Sequence, residues 1–522
     1  MSATTTSPVP DRGREPSERA GFVPLLHAEW TKFRTVRGWV LGMILAAVLM
    51  DVISLLGGAN GESCSSCAST LPIGPGGEAV SDSFYFLHQP LTGDGSITVR
   101  MTSLSGQPLG SGTGASAAQQ AGVQPWSKAG IIIKASPQQG SAYAAMMVTG
   151  GHGVRMQYDY TADFAGLPGS ASPTSPRWLR LVRTGNTITG YDSANGLVWT
   201  QVGAAGLAAP PSTLQVGLFA ASPNAQATTG QTLGTGSGLS EPTLATGVFD
   251  HVTLSGGREG GAWAGTAIGS ASAQPQIAAQ EGYRATHGGF TVTGSGDIVP
   301  VLPGGDVKTI DFYLTGGDFA GLMAIVVIAA LAMTAEYRRG MIRITLSAAP
   351  RRGRVLAAKA IVLGLITFVA GLPATLIVVT VGIRLSHERG AYVLPVPWTT
   401  EVRVIVGTAA LLGLAAVLAL AIGAIVRRGA VAVALVIVGI VLPYVLAAGG
   451  ILPLGAAEWL LRVTPAAAFS IQDSIPQYPQ ATASYTPPTY LPLAPWTGFA
   501  VLCGYAAAAM ALAILLLRRR DA

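Results

Sequence analysis

GWVLGMILAAVLMDVISLL, running from Gly38 to Leu56, decides what kind of chain this is. Its one charged residue, Asp51, stands near the far end. At about 1.5 Å of rise per residue, a helix of this length crosses the roughly 30 Å of hydrocarbon in a bilayer. Five further runs share this character, at 318–335, 357–383, 403–426, 429–451 and 496–517. The pattern predicts an α-helical membrane domain of six transmembrane helices, with 57–316 held between the first two.

Composition agrees. Charged residues are only 11% of the 522, against about 25% in soluble domains. The net charge of +6 does not point to nucleic acid, because the basic residues cluster beside the apolar runs. Lys32, Arg34 and Arg37 precede the first run. Arg338, Arg339, Arg343, Arg351, Arg352, Arg354 and Lys359 lie between the second and third, Arg427 and Arg428 between the fourth and fifth, and Arg518, Arg519 and Arg520 after the sixth. Six crossings place all of these on one side, and the positive-inside rule makes that side the cytoplasm. The expectation is a multi-pass protein of the plasma membrane with both termini cytoplasmic and 57–316 extracellular. Arg384 and Arg389 run against it, since they fall in the outer loop 384–402.

Residues 1–20, rich in Ser, Thr, Pro and Arg, are expected to be a disordered tail. No short apolar core with a small-residue cleavage site follows directly, so they do not read as a signal peptide. In the next stretch, 21–56, Phe22, Leu26, Trp30 and Phe33 recur at helical spacing with His27, Lys32 and Arg34 between them. That predicts an amphipathic helix lying along the membrane surface before the first span.

The inserted region reads as strands. Asn195–Gly196, between Thr187–Ser193 and Leu197–Val202, is a hairpin signal. Further short runs at Ser96–Met101, Ile131–Ala135, Ala142–Val148, Val154–Tyr160, Trp178–Arg183, Leu214–Ala220 and Gly247–Leu254 predict a large all-β, antiparallel sandwich or jelly-roll. Its core spans about 80–255, with low-complexity loops at 104–122 and 223–244 and a smaller piece at 280–315 leading back to the membrane. Residues 317–522 then hold the remaining helices.

Little here points to catalysis. A phosphate-binding loop needs Gly-Lys-Ser/Thr, and none of Lys32, Lys128, Lys134, Lys308 and Lys359 follows a glycine. Asp159, Asp163, Asp192 and Asp250 are scattered, without the paired acids of a glycosidase. No metal site is expected, since the Cys64-x-x-Cys67 pair has no second ligand pair. If these cysteines face outward, a small disulfide joins them. Trp178, Tyr191 and Trp199 form a possible ligand platform, although aromatic residues on strands more often belong to a core. Among residues inside the spans only Asp51 reads as a charge, at an interfacial position. Lys359 reads as snorkelling to the cytosol, and Pro373 and Pro443 as helix kinks.

Three segments carry a family resemblance. Leu25–Thr35 (LLHAEWTKFRT), with Glu29, Trp30, Lys32 and Arg34, resembles the helix that opens ABC-2-type transporter permeases. Glu336-Tyr337-Arg338-Arg339-Gly340-Met341-Ile342-Arg343, followed by Pro350-Arg351-Arg352-Gly353-Arg354 and Lys359, resembles the cytosolic connector of that family's bacterial members. Leu461-Arg462-Val463-Thr464-Pro465 resembles the stretch before their last span. The resemblance implies a non-enzymatic permease subunit of an ATP-driven exporter that binds no cofactor itself. ATP and Mg would act through a partner ABC ATPase, and a second permease copy or sister permease would complete the channel in the lipid bilayer. Within the connector 336–359, Glu336, Arg338, Arg339, Gly340, Arg351, Arg352 and Arg354 are the implied ATPase-coupling residues. Glu336 would pair with an Arg of that connector. A purely lipid-attracting role of its basic residues is the alternative.

In the inserted domain, Pro176–Arg183, Tyr191-Asp192-Ser193, Trp199 and Phe249–Leu254 resemble concanavalin-like, laminin-G-like sandwiches. The rival functional reading is a membrane-anchored surface-binding or sensing protein whose sandwich recognises glycan or protein.

Overall fold

The computed structural model describes residues 21–59, 71–108, 122–228, 238–256, 261–269, 275–301, 303, 307–338, 340, 352–448, 452–476, 478–482 and 491–519. Its helices of ten residues or more are α1 (Phe22–Thr35), α2 (Arg37–Ala59), α3 (Leu314–Arg338), α4 (Arg352–Glu388), α5 (Trp398–Val426), α6 (Gly429–Ala448), α7 (Leu454–Val463) and α8 (Pro495–Arg519). All but α1 and α7 are long and apolar enough to cross a membrane, which makes six such helices among the described residues. They share one apolar core in which α5 is the most enclosed element, with Val404, Leu412, Ala415, Ala419 and Leu420 buried. Pro373 and Pro443 sit inside α4 and α6, which continue through them.

Two antiparallel seven-stranded sheets form the β domain. From edge to edge the first runs β10 (Thr200–Gly206), β9 (Thr187–Ser193), β8 (Arg177–Thr184), β3 (Gly95–Pro108), β14 (Thr243–Gly256), β17 (Gly289–Gly294) and β16 (Gly282–Thr286). The second runs β15 (Ala264–Ile268), β2 (Phe84–Thr92), β11 (Thr213–Ala221), β4 (Lys128–Lys134), β5 (Tyr143–Thr149), β6 (Val154–Tyr158) and β7 (Ala162–Ala165). Side chains alternate across each sheet. Leu179, Leu181, Ile188, Ile131, Ile133, Met146 and Leu218 point into the layer between the sheets. The far face of the second sheet is covered as well, around Phe84, Phe86, Ile132, Tyr143 and Phe219.

Three two-stranded pairs complete the topology. β1 (Val80–Asp82) pairs with β18 (Ile298–Pro300), and β12 (Ala225–Thr228) with β13 (Gly238–Glu241). The third pair is parallel, β19 (Val307–Lys308) with β20 (Tyr392–Val393).

The structure redraws several expectations. Residues 282–294 are strands of the first sheet, so the sandwich reaches to about 300 instead of closing near 255. The 223–244 stretch is not all loop, because β12 and β13 lie in it. The Asn195–Gly196 turn is present, with Gly196 at φ +74°. The hairpin it opens is longer than two residues, because Asn195 Oδ1 accepts hydrogen bonds from the backbone of Leu197 and Val198. On α1 the inward face is Phe22, Leu25, Leu26, Glu29 and Phe33, while Trp30 is 45% exposed. Packing against the other helices, rather than a lipid surface alone, sets that face. Cys64 and Cys67 lie outside the described residues.

The root of the β domain is pinned twice. Both chain crossings run side by side as β1 and β18, and each receives a buried lysine from β4. Lys134 Nζ lies 2.7 Å from Asp82 on β1, and Lys128 Nζ 2.6 Å from Asp297 beside β18. The Tyr160 hydroxyl donates to the same Asp82 oxygen at 2.7 Å. Burial pushes the Lys134 ammonium below its ordinary value, and Asp82 opposes that shift. The root also meets the helical part. Tyr392 Oη accepts from the Ala79 amide at 3.0 Å, and Gln480 Nε2 donates to the Tyr160 carbonyl at 2.9 Å.

Candidate functional site

At the end of the helices away from the β domain, α1 lies against the bases of α2 and α4. Four charged side chains converge there. Lys359 Nζ, about two turns into α4, donates to Glu29 Oε2 at 2.8 Å and to Glu336 Oε1 at 2.6 Å. Lys32 Nζ donates to Glu29 Oε1 at 2.8 Å and stands 3.4 Å from Glu336 Oε1. Glu29, Glu336 and Lys359 are each less than a tenth exposed.

Local structure explains the convergence. Glu29 and Lys32 are three apart on α1, so both face one side. Glu336 closes the last turn of α3 and Lys359 follows the start of α4, which places both at the same level. Burial alone would raise the Glu29 carboxyl, but Lys359 and Lys32 hold it below the ordinary value of 4.5. For Lys32, burial opposes and the two carboxylates prevail, so its ammonium is raised. Glu29 and Lys32 are therefore both ionised at neutral pH.

Beside these side chains is a cavity of about 730 Å³. Phe33, Val36, Trp39, Val362 and Leu363 give it apolar walls, and the charged side chains border it. Chemically the arrangement is a charge lock that ties α1 to the ends of α3 and α4.

Of the expected coupling residues, Glu336 belongs to this lock. Arg338 ends α3 and is exposed, Gly340 lies just beyond at φ +68°, and Arg354 is exposed on α4. Arg352 donates to the Leu517 carbonyl at 3.0 Å, fastening α4 to the end of α8. Arg339 and Arg351 fall outside the described residues. Among the described residues Glu336 pairs with Lys359 and Lys32, not with an Arg of its own connector. Its carboxylate holds helices together through Oε1. Lys359 is buried in the lock rather than snorkelling. Arg34 is exposed.

A second polar cluster sits at the opposite end, on the 3-10 helix Pro465–Gln472. Gln472 Nε2 donates to Asp318 of α3, and to Thr408 of α5 at 3.2 Å. Ser474 donates to Asp311, and Arg403 donates to the Asp473 carbonyl at 2.6 Å. Asp311 stands just before α3, and burial raises its carboxyl. Asp51 is therefore not alone as an acid within the long helices. Asp318, 2% exposed, is more deeply buried. It was missed because it stands at the edge of an apolar run, where water contact is the ordinary expectation.

On the β domain, Trp178 and Tyr191 share the outer face of neighbouring strands β8 and β9. The Arg180 guanidinium lies 3.9 Å over the Trp199 ring, and His251 stands 5.4 Å from Trp178. Both indoles are thus engaged by groups of the domain itself.

Comparison with known proteins gives a family profile, described as ABC-2 family transporter protein, that matches residues 185–522. No curated protein matches. Among solved structures, a functionally unknown protein from Saccharomyces cerevisiae aligns at TM-score 0.17 and 17% identity, over 36% of this chain and 76% of that one. Scytalido-glutamic peptidase with a transition-state analogue inhibitor aligns at TM-score 0.24 and 6% identity, over 42% of this chain and 100% of its own. The same enzyme with a peptide-based analogue gives 0.22 and 9%, over 41% and 98%.

Proposed function

The chain belongs to the ABC-2 family of transporter proteins, and from that premise we propose that it is the permease subunit of an exporter driven by a separate ABC ATPase. The family supports a multi-pass membrane protein that serves an ABC transporter. The observation that carries the finer reading is the lock of Glu29, Lys32, Glu336 and Lys359. It fastens the amphipathic helix to both ends of the basic connector. A push on the connector then reaches α1, α3 and α4 together, because a packed ionic cluster transmits displacement as a unit. ATP and Mg act on the partner, and this chain contributes no phosphate-binding loop. A second permease copy or a sister permease completes the cargo path.

In this proposal the Arg and Lys flanks place the lock in the cytosol and the β domain outside the cell. Single-cysteine labelling, in a background without Cys64, Cys67 and Cys503, checks the topology. Leu197, 84% exposed, replaced by Cys is expected to react in intact cells. Arg428→Cys, on the exposed link between α5 and α6, is expected to react only after permeabilisation. Reaction of both from the same side sinks the topology.

Gly340 tests the coupling. A Cβ added there meets nothing within 4 Å, but φ of +68° lies in the left-handed region. Leu in that conformation costs about 1–2 kcal/mol, whereas Asn tolerates it. Gly340→Leu is expected to retain membrane insertion and lose most ATPase co-purification, with Gly340→Asn close to the parent. Equal recovery of the ATPase with Gly340→Leu would reduce the connector to a charge anchor.

A further inference from the structure

We propose that the cavity between α1 and the bases of α2, α3 and α4 binds a zwitterionic phospholipid whose head carries a primary ammonium, an ethanolamine-type lipid. The inference deepens the permease reading and rests on it for a bilayer leaflet at this level. At about 730 Å³ the space falls within the ordinary range for ligand sites, roughly 300–1,000 Å³. Its walls are apolar and its floor is ionic, so its occupant is amphipathic.

Charge narrows the class. Glu29 and Glu336 balance Lys32 and Lys359, and the bordering charge is zero. An anionic head or a lone cation would bring an uncompensated charge against three side chains that are less than a tenth exposed. A head with both signs brings none.

The unfilled hydrogen-bond capacity points the same way. An ammonium has three donors, and Lys32 uses two of them on carboxylates with its side chain 45% exposed. Both lysine contacts to Glu336 fall on Oε1, which leaves Oε2 with no partner among the described residues. One donor and one acceptor therefore remain beside the same cavity. A lipid phosphate accepts from Lys32, and a primary ammonium donates to Glu336 Oε2. A choline head has no N–H to give. The acyl chains lie along Phe33, Val36, Trp39, Val362 and Leu363.

The test uses the full-length permease in mild detergent, offered equimolar ethanolamine, choline and glycerol phospholipids, with retained lipid counted by native mass spectrometry. The ethanolamine lipid is expected to be retained about tenfold over the glycerol lipid, and severalfold over the choline lipid. Glu336→Gln should erase the preference for ethanolamine over choline. Because that variant also disturbs the lock, Gly38→Leu is the second arm. Gly38 borders the cavity, and a Cβ there meets nothing within 4 Å. Leu fills the space while all four charges stay, and ethanolamine-lipid retention should fall about tenfold. Retention of the glycerol lipid at or above the ethanolamine lipid overturns the proposal, as does a Gly38→Leu variant that keeps its lipid. The readout needs no ATPase, so failure of the coupling reading, seen in co-purification, remains separate.

Discussion

Lys359→Met is expected to be the most damaging single change in the helical part. Methionine matches lysine in length, so packing is nearly kept. The change leaves Glu29 and Glu336 buried with Lys32 as their one remaining cation. Removing one partner of a buried ionic cluster costs about 3–5 kcal/mol, most of it from the carboxylates left behind. Thermal unfolding in detergent should show the loss, and ATPase co-purification should fall with it. Adding Glu336→Gln to Lys359→Met should recover much of the stability, because the surplus buried charge is then gone.

The pH dependence has a definite sign. The Glu29 carboxyl is held below its ordinary value of 4.5 in the folded protein. Its contribution is thus complete above that value and lost as pH falls through the lowered one. The stability gap between parent and Lys359→Met should be full at neutrality, begin to narrow in mildly acidic buffer as the variant's stranded carboxylates take up protons, and close further as pH falls through the lowered Glu29 value. A variant as stable as the parent at neutral pH would show that the cluster is decorative.

The second large effect belongs to the β domain. Lys134 and Asp82 are both fully buried, and Lys134 also donates to Tyr160 Oη at 3.1 Å. Lys134→Met strands the Asp82 carboxylate beneath the second sheet, at a cost of about 3–5 kcal/mol. Lys134→Met with Asp82→Asn should be milder than the single change, since a neutral amide needs no counter-charge. Proteolysis of the β domain and its unfolding temperature report the loss. ATPase co-purification, read at the far end of the helices, should not change. If single and double variants destabilise equally, the pair contributes only volume.

The apolar runs and the Asn195–Gly196 turn were legible because each rests on local pattern: hydrophobic length for a span, a left-handed glycine for a turn. Glu29, Lys32, Glu336 and Lys359 were each visible as residue types out of place. Their union was not, since Lys359 and Glu29 stand 330 positions apart, and no periodicity reports pairing at that range. That Glu29 faces the other helices while Trp30 stays exposed was hidden for a related reason. An apolar residue at helical spacing is assigned to the buried face, yet Glu29 takes that place because its counter-charges wait on other helices. Lys128 and Lys134 flank an apolar β4, and their charge argues for strand ends in water. Only a second layer over that sheet, built from β1 and β18, makes them interior.

β1 and β18 pair through Val80↔Pro300 and Asp82↔Ile298, and the Val301 amide donates to the Ala79 carbonyl at 2.9 Å. The chain therefore leaves the helices and returns at nearly one point, about 5 Å apart as neighbouring strands are. A cassette with adjoining ends can be acquired or discarded by a single recombination event in an ancestral gene. α2 and α3 already touch directly, with Gly317 and Gly321 of α3 against Met50 of α2, and neither would need to shift for such an exchange. The β domain is thus joined to the helical part in the manner of a removable module, its two ends meeting at one paired strand.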